Sequence, residues 1–92
     1  MKNVYMDYSA TTYVKPEVFE EMKPYFTEKF GNPSSFYSLA RENTIAVMKG
    51  REKIAVSLNS NPDEIYITGG GSEADNWALK GIASAYKNKG NH

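Results

Sequence analysis

Ninety-two residues make at most one small domain, able to bury only roughly 60–65% of the surface its unfolded form exposes. Eleven basic and eleven acidic residues leave no net charge, and so no electrostatic case for nucleic acid or a membrane surface. Cysteine is absent, which excludes a disulfide framework and thiolate metal ligation, and no apolar run nears the roughly 20 residues that span a bilayer. With 40% hydrophobic residues, seven Tyr, four Phe and one Trp, the composition is of globular rather than disordered type. The opening Met1-Lys2-Asn3-Val4 does not read as a signal peptide, because Asp7 and polar residues stand where an apolar region should follow. The default expectation is a soluble cytoplasmic protein.

Val4-Tyr5-Met6 is a short apolar run ending at Asp7, read as a brief strand or extended segment before the small-residue loop Ser9-Ala10-Thr11-Thr12. Pro16 suits the first turn of a helix, with Glu17, Glu20 and Glu21 near its positive end. Val18, Met22, Phe26 and Phe30 recur every four residues as one apolar stripe. Pro24 interrupts it, which predicts a kink or a break into two short helices. Gly31-Asn32-Pro33-Ser34-Ser35 is a loop, since it stacks residues that favour turns.

The pattern then predicts a helix from about Tyr37 to Leu58. Leu39, Ile45, Met48, Ala55 and Leu58 share its expected buried side, while Arg41, Lys49, Arg51 and Glu52 stay wet. Gly50 weakens this helix by roughly 1 kcal/mol relative to Ala. Asn59-Ser60-Asn61-Pro62 closes it. Glu64 to Thr68 is the best strand candidate, being short, β-branched or aromatic, and bounded by Pro62 and Gly69. A further helix is expected from Ser72 to about Tyr86, with Ala74, Trp77, Ala78, Ile82 and Tyr86 available for packing. One or two strands make no stable sheet, and a strand–loop–helix unit wants a parallel neighbour. The chain therefore reads as the opening of a larger α/β protein.

Thr68-Gly69-Gly70-Gly71-Ser72-Glu73-Ala74-Asp75-Asn76 concentrates the chemistry. A strand runs through three glycines into a helix whose expected N-cap is Ser72, with Asp75 at capping-box spacing. Glycines permit a tight turn and close approach to a ligand. The N–H groups of Gly71, Ser72 and Glu73 at the positive helix end suit an anion, phosphate best, and the Ser72 hydroxyl adds a donor. The competing reading is a flexible linker and an ordinary capped helix. No P-loop lysine follows, and the dinucleotide glycine pattern is not met.

Three segments carry a family resemblance: Val4 to Thr12, Phe30-Gly31-Asn32-Pro33-Ser34-Ser35, and Thr68 to Asn76. Together they resemble successive motifs of the NifS/IscS-type cysteine desulfurases, in order and at similar separations, over essentially the whole chain. That resemblance implies the N-terminal fragment of a PLP-dependent transferase fold (fold type I, an α/β fold, mostly helical in this portion with one or two short strands). It implies a small-domain segment and linking helix over about 1–30, and the start of the large PLP-binding domain over about 31–92. Gly71 and Ser72 would bind the cofactor phosphate. The loops around Ala10–Thr12 and Asn32–Ser35 would line the mouth of the active site, although both also read as structural turns. Tyr8-Ser9, Tyr37 and Ala40 depart from the family's usual Asn-Ala or Tyr-Ala, histidine and glycine.

The implied activity is conversion of L-cysteine to L-alanine with persulfide sulfur passed to iron–sulfur cluster or thiolation pathways. The implied partners are L-cysteine, a sulfur-acceptor scaffold protein and a second subunit in a homodimer. By the same resemblance, the lysine that attaches the cofactor, the histidine above its ring, the aspartate at its pyridine nitrogen and the sulfur-accepting cysteine all lie beyond these residues. Lys80 sits inside a helix, and His92 is assigned a structural role. The 92 residues alone are therefore expected to be inactive. Two other readings stand beside this one: a non-catalytic module complementing a separate C-terminal half, and a parent of selenocysteine-lyase type.

Overall fold

The computed structural model describes residues 1–91. The chain divides into two compact units, the first Met1–Gly50 and the second from Arg51 onward.

In the first unit, α1 spans Pro16–Met22 and α2 spans Pro24–Thr27. Pro16 opens α1 and Pro24 opens α2, each at a position whose N–H has no helical partner to lose. Pro24 cannot donate back into α1, so the expected break falls there. Lys23 closes α1 by donating its N–H to Phe19 O at 2.9 Å. The expected stripe of Val18, Met22, Phe26 and Phe30 is divided by the break and stays exposed, with Phe26 at 71%.

The helix α3 spans Ser38–Ser57, within one residue of expectation at each end. Its expected buried side is covered only in part, with Ala55 buried and Leu39 half-buried. Ile45, Met48 and Leu58 are exposed, whereas Ala40 is fully buried and Asn43 is 7% exposed. The loop that precedes α3 lies against Ala40 and Asn43, so small and donor-bearing residues face inward there. Arg51, expected to stay wet, is partly covered, and its Nε has no hydrogen-bond partner among the described residues.

In the second unit, α3 ends in a Schellman arrangement. Ser60 N–H donates to Ala55 O at 2.9 Å and Asn59 N–H to Val56 O at 3.2 Å. Asn59 takes the left-handed conformation this requires, with φ 53°. Pro62–Glu64 then forms a 3₁₀ turn, in which the Glu64 carboxylate accepts the Asn61 N–H at 2.7 Å. No strand occurs among the described residues. Glu64 belongs to the 3₁₀ turn, and Ile65 leaves it in extended geometry. A strand exists only through ladder bonds to a neighbour, and residues 65–68 have none. The portion is mostly helical, as expected, and the one or two short strands expected beside the helices do not form among the described residues.

The helix α4 spans Gly71–Ala85. Tyr66 meets Trp77 edge to face, with ring centroids 5.2 Å apart. They share a groove of about 530 Å³ with Glu64, Thr68, Ala78 and Ile82. Ala55 is the second unit's buried apolar residue, while Trp77 and Ile82 remain exposed.

Candidate functional site

The α4 N-terminus differs in detail from its sequence reading. Its N-cap is Gly70, not Ser72, and no side chain caps it. Ser72 therefore sits two residues past the cap, and the spacing to Asp75 closes no capping box. Glu73, third in the helix, reaches back instead: its Oε2 accepts the Gly69 N–H at 2.8 Å. The Thr68 hydroxyl donates to Gly70 O at 3.0 Å, fixing the other side of the turn. Gly70 is extended, and no glycine among the described residues takes the left-handed conformation. Backbone freedom is not what glycine supplies here. An added Cβ at Gly70 or Gly71 meets nothing within 4 Å, so the space before the helix end is open.

The first intrahelical bond runs from Ala74 N–H to Gly70 O at 3.1 Å. The N–H groups of Gly71, Ser72 and Glu73 precede it and have no partner within the helix. Three such donors at the positive end of a 15-residue helix can hold an anion. The Ser72 hydroxyl lies in the same first turn. Deeper in the helix, Asn76 Nδ2 donates to Ser72 O at 2.8 Å and ties that turn to the next. The groove beside Trp77 is lined by neither Gly71 nor Ser72.

The Asn32–Ser35 loop is tightly held within the first unit. Ser34 N–H donates to Asn32 Oδ1 at 2.9 Å and Ser35 N–H to Asn32 O at 3.0 Å, an Asx turn. Asn32 N–H donates to the Tyr37 hydroxyl at 3.2 Å. From α3, Asn43 Nδ2 donates to Lys29 O at 2.8 Å and to Gly31 O at 2.5 Å. The Thr44 hydroxyl approaches Pro33 O at 2.6 Å. Lys29 Nζ pairs with Glu42 at 3.1 Å, and the hydrogen bond and charge of Glu42 hold the lysine above its ordinary pKa. Gly31 is the glycine that sterics demand: a Cβ there would stand 2.5 Å from Leu39 O. Asn43 Oδ1 is buried without a partner among the described residues.

Asn43 and Thr44 escaped the sequence reading. Their signal was a polar pair on the side of α3 that carries Ala40, where a buried amide implies carbonyls to bind.

Nearer the N-terminus, Ala10 N–H and Thr11 N–H both donate to Asp7 O, at 3.1 and 3.3 Å. The Tyr5 hydroxyl closes this turn, donating to Asp7 O at 2.9 Å and meeting Thr11 Oγ1 at 2.5 Å. Tyr8 packs edge to face on Tyr5, with centroids 5.2 Å apart. Lys80 lies exposed within α4. His92 lies outside the described residues. Among the described residues, no acidic or histidine cluster is arranged to hold a metal ion, and no helix is long and apolar enough to cross a membrane.

Comparison with known proteins places these features in a family. The aminotransferase class-V family matches residues 4–92. A cysteine desulfurase IscS of Clostridium botulinum (strain Kyoto / Type A2) is 65% identical over 91 residues, covering 99% of this chain and 23% of that protein. The cysteine desulfurase IscS of Methanosarcina thermophila is 54% identical over 91 residues, covering 99% and 22%. That of Dictyoglomus turgidum (strain DSM 6724 / Z-1310) is 50% identical over 91 residues, covering 99% and 23%. The chain thus spans less than a quarter of the length of these curated relatives. No solved structure matches it. The motifs around Asp7, Asn32 and Gly71 therefore sit within a family match that runs nearly from end to end, and the chain belongs to the aminotransferase class-V family.

Proposed function

We propose that this chain supplies the N-terminal portion of a PLP-dependent cysteine desulfurase, which converts L-cysteine to L-alanine and carries the sulfur as an enzyme-bound persulfide. The single observation behind this reading is the similarity to cysteine desulfurases over 91 of its residues. In this reading, residues 1–30 belong to a small domain, and residues 31–92 open the large cofactor-binding domain. The complete enzyme is a cytoplasmic homodimer that delivers sulfur to an acceptor scaffold protein for iron–sulfur cluster or thiolation chemistry.

The residues present fit the cofactor's phosphate end. Open space before Gly70 and Gly71 admits a bulky anion, and the donors of the first turn of α4 remain outside the helical ladder. Gly71 and Ser72 would hold the phosphate through their N–H groups, with the Ser72 hydroxyl as a further donor. When bound, PLP supplies an electron sink for bond cleavage next to the amino acid's nitrogen. This chain's part is to anchor and orient that group. Glu73 shapes the turn before the helix, its carboxylate accepting the Gly69 N–H, while its charge opposes an anion at the same helix end. The Ala10–Thr12 and Asn32–Ser35 loops line the mouth through which L-cysteine enters.

The test is Ser72→Ala in the complete polypeptide that carries this segment. PLP affinity, measured by equilibrium dialysis, is expected to fall by about 1–2 kcal/mol through one lost charge-assisted hydrogen bond. Unchanged affinity would overturn the phosphate assignment. The isolated 92 residues with added PLP are expected to release no sulfide from cysteine beyond that of free PLP.

A further inference from the structure

We propose that Asn43, seconded by Thr44, is a positioning residue that clamps the Lys29–Pro33 segment onto α3 and so sets the Asn32–Ser35 loop. Its catalytic consequence rests on the desulfurase reading, in which that loop meets the substrate. The clamp itself rests on geometry alone.

An amide nitrogen carries two protons, and here each goes to a different carbonyl, Lys29 O and Gly31 O. Those carbonyls bracket Phe30, outside any helix. With Asn43 only 7% exposed, little water competes for either bond. The direction of the bonds distinguishes this residue from an ordinary helical asparagine. Asn76 spends its amide on Ser72 O, one turn back in its own helix. Asn43 spends both protons on backbone 12 and 14 positions earlier.

Asn43 does not act alone. Thr44 points its hydroxyl at Pro33 O, two residues further along the same loop, at 2.6 Å, with Ala40 O of its own helix the more distant acceptor at 3.1 Å. Gly31 lies so close to the Leu39 and Ala40 backbone that only a hydrogen fits between. The pinned carbonyl of Gly31 immediately precedes Asn32, whose N–H, side chain and carbonyl organise the rest of the loop. Position is thus passed from α3 through Gly31 to Ser35 by consecutive hydrogen bonds.

The experiment compares amide hydrogen exchange in the unsubstituted chain, Asn43→Ala and Thr44→Val. Asn43→Ala is expected to speed exchange at Asn32, Ser34 and Ser35 by about tenfold, the loss of bonds of ordinary net strength. Thr44→Val, which keeps the shape of its side chain, is expected to speed the same amides by roughly threefold. Exchange in α1 and α4 should not move. Unchanged loop rates in both variants overturn the clamp. Acceleration spread evenly over Met1–Gly50 in both also overturns it, since that marks a residue needed only for folding. Should Asn43→Ala fail to fold, Thr44→Val decides.

In the complete polypeptide, the same variants are expected to raise KM for L-cysteine with kcat held within about twofold, a split that general destabilisation does not produce. An unmoved KM overturns the positioning role. If the unsubstituted polypeptide turns over no cysteine, the proposed function fails while the exchange result still decides the clamp.

Discussion

The carboxylate of Glu73 accepts the backbone N–H of Gly69 at 2.8 Å, bending back across the glycine turn to the outside of its own helix. The contact joins a helix-stabilising charge to the turn that precedes the helix. Its oxygen also lies 3.2 Å from where a Cβ at Gly69 would stand, so the two positions constrain each other.

Replacing Glu73 by Gln should therefore cost α4 about 0.3–1 kcal/mol, the usual worth of a first-turn acid at the positive helix end. Urea titration followed by circular dichroism at 222 nm measures this. The same change removes a negative charge beside the first-turn donors, so phosphate binding should strengthen. Weaker phosphate binding in Glu73→Gln would contradict the picture of an anion held at this helix end.

Asn59 offers a second test. Its left-handed φ of 53° is tolerated by asparagine and costs glycine nothing. Asn59→Gly should leave the end of α3 as stable or slightly more so, whereas Asn59→Ala should destabilise it by about 1 kcal/mol. Thermal melts of both variants check the order. An alanine variant as stable as the glycine one would rule out the left-handed cap.

Gly50 lies inside α3, where an added Cβ meets nothing within 4 Å. Gly50→Ala should thus raise helix stability by about 1 kcal/mol from propensity alone. Greater helicity at a fixed urea concentration is the expected result.

Lys29 supplies a pH-dependent prediction. Its pKa is raised above 10.5, first by the hydrogen bond to Glu42 and then by that residue's charge. A raised folded pKa means that the pair's contribution is fully present below the unfolded pKa and is lost as pH climbs through the folded value. The loss therefore falls on the alkaline side, above pH 10.5. An NMR titration should place the Lys29 midpoint above its midpoint in Glu42→Gln. Coincident midpoints would show the ion pair to be without effect in solution.

What could be read from residues alone was whatever depended on neighbours along the chain. Pro24 removes a donor, so the break between α1 and α2 was visible at once. Asn59 through Pro62 announced the end of α3. The start of α4 was visible as a glycine-rich turn, but its cap lies two residues before Ser72, because Gly70 takes it while Glu73 satisfies the turn from inside the helix. The Glu64–Thr68 strand was read from composition, yet a strand is defined by a partner that composition cannot provide. The buried side of α3 was legible only in part. Ala55 is buried as hydrophobicity implies, but Ile45 and Met48 are exposed, because the loop that covers the helix meets it through the Gly31 contact at Ala40 and the amide donor of Asn43. At the candidate site, the turn proposed to hold an anion was legible because its donors are backbone groups. Asn43 was not, because its partners lie more than ten residues away.

The edge-to-face pair of Tyr66 and Trp77 has an optical consequence. Trp77 is the chain's single tryptophan, and the adjacent ring of Tyr66 belongs to the segment that leads into the glycine turn. Its emission is an intrinsic reporter of whether residues 65–68 rest on α4. The Tyr66 ring covers part of the indole, so Trp77 emission is expected to shift when that segment lifts away. No dye or label is needed to follow the approach to Gly71 and Ser72.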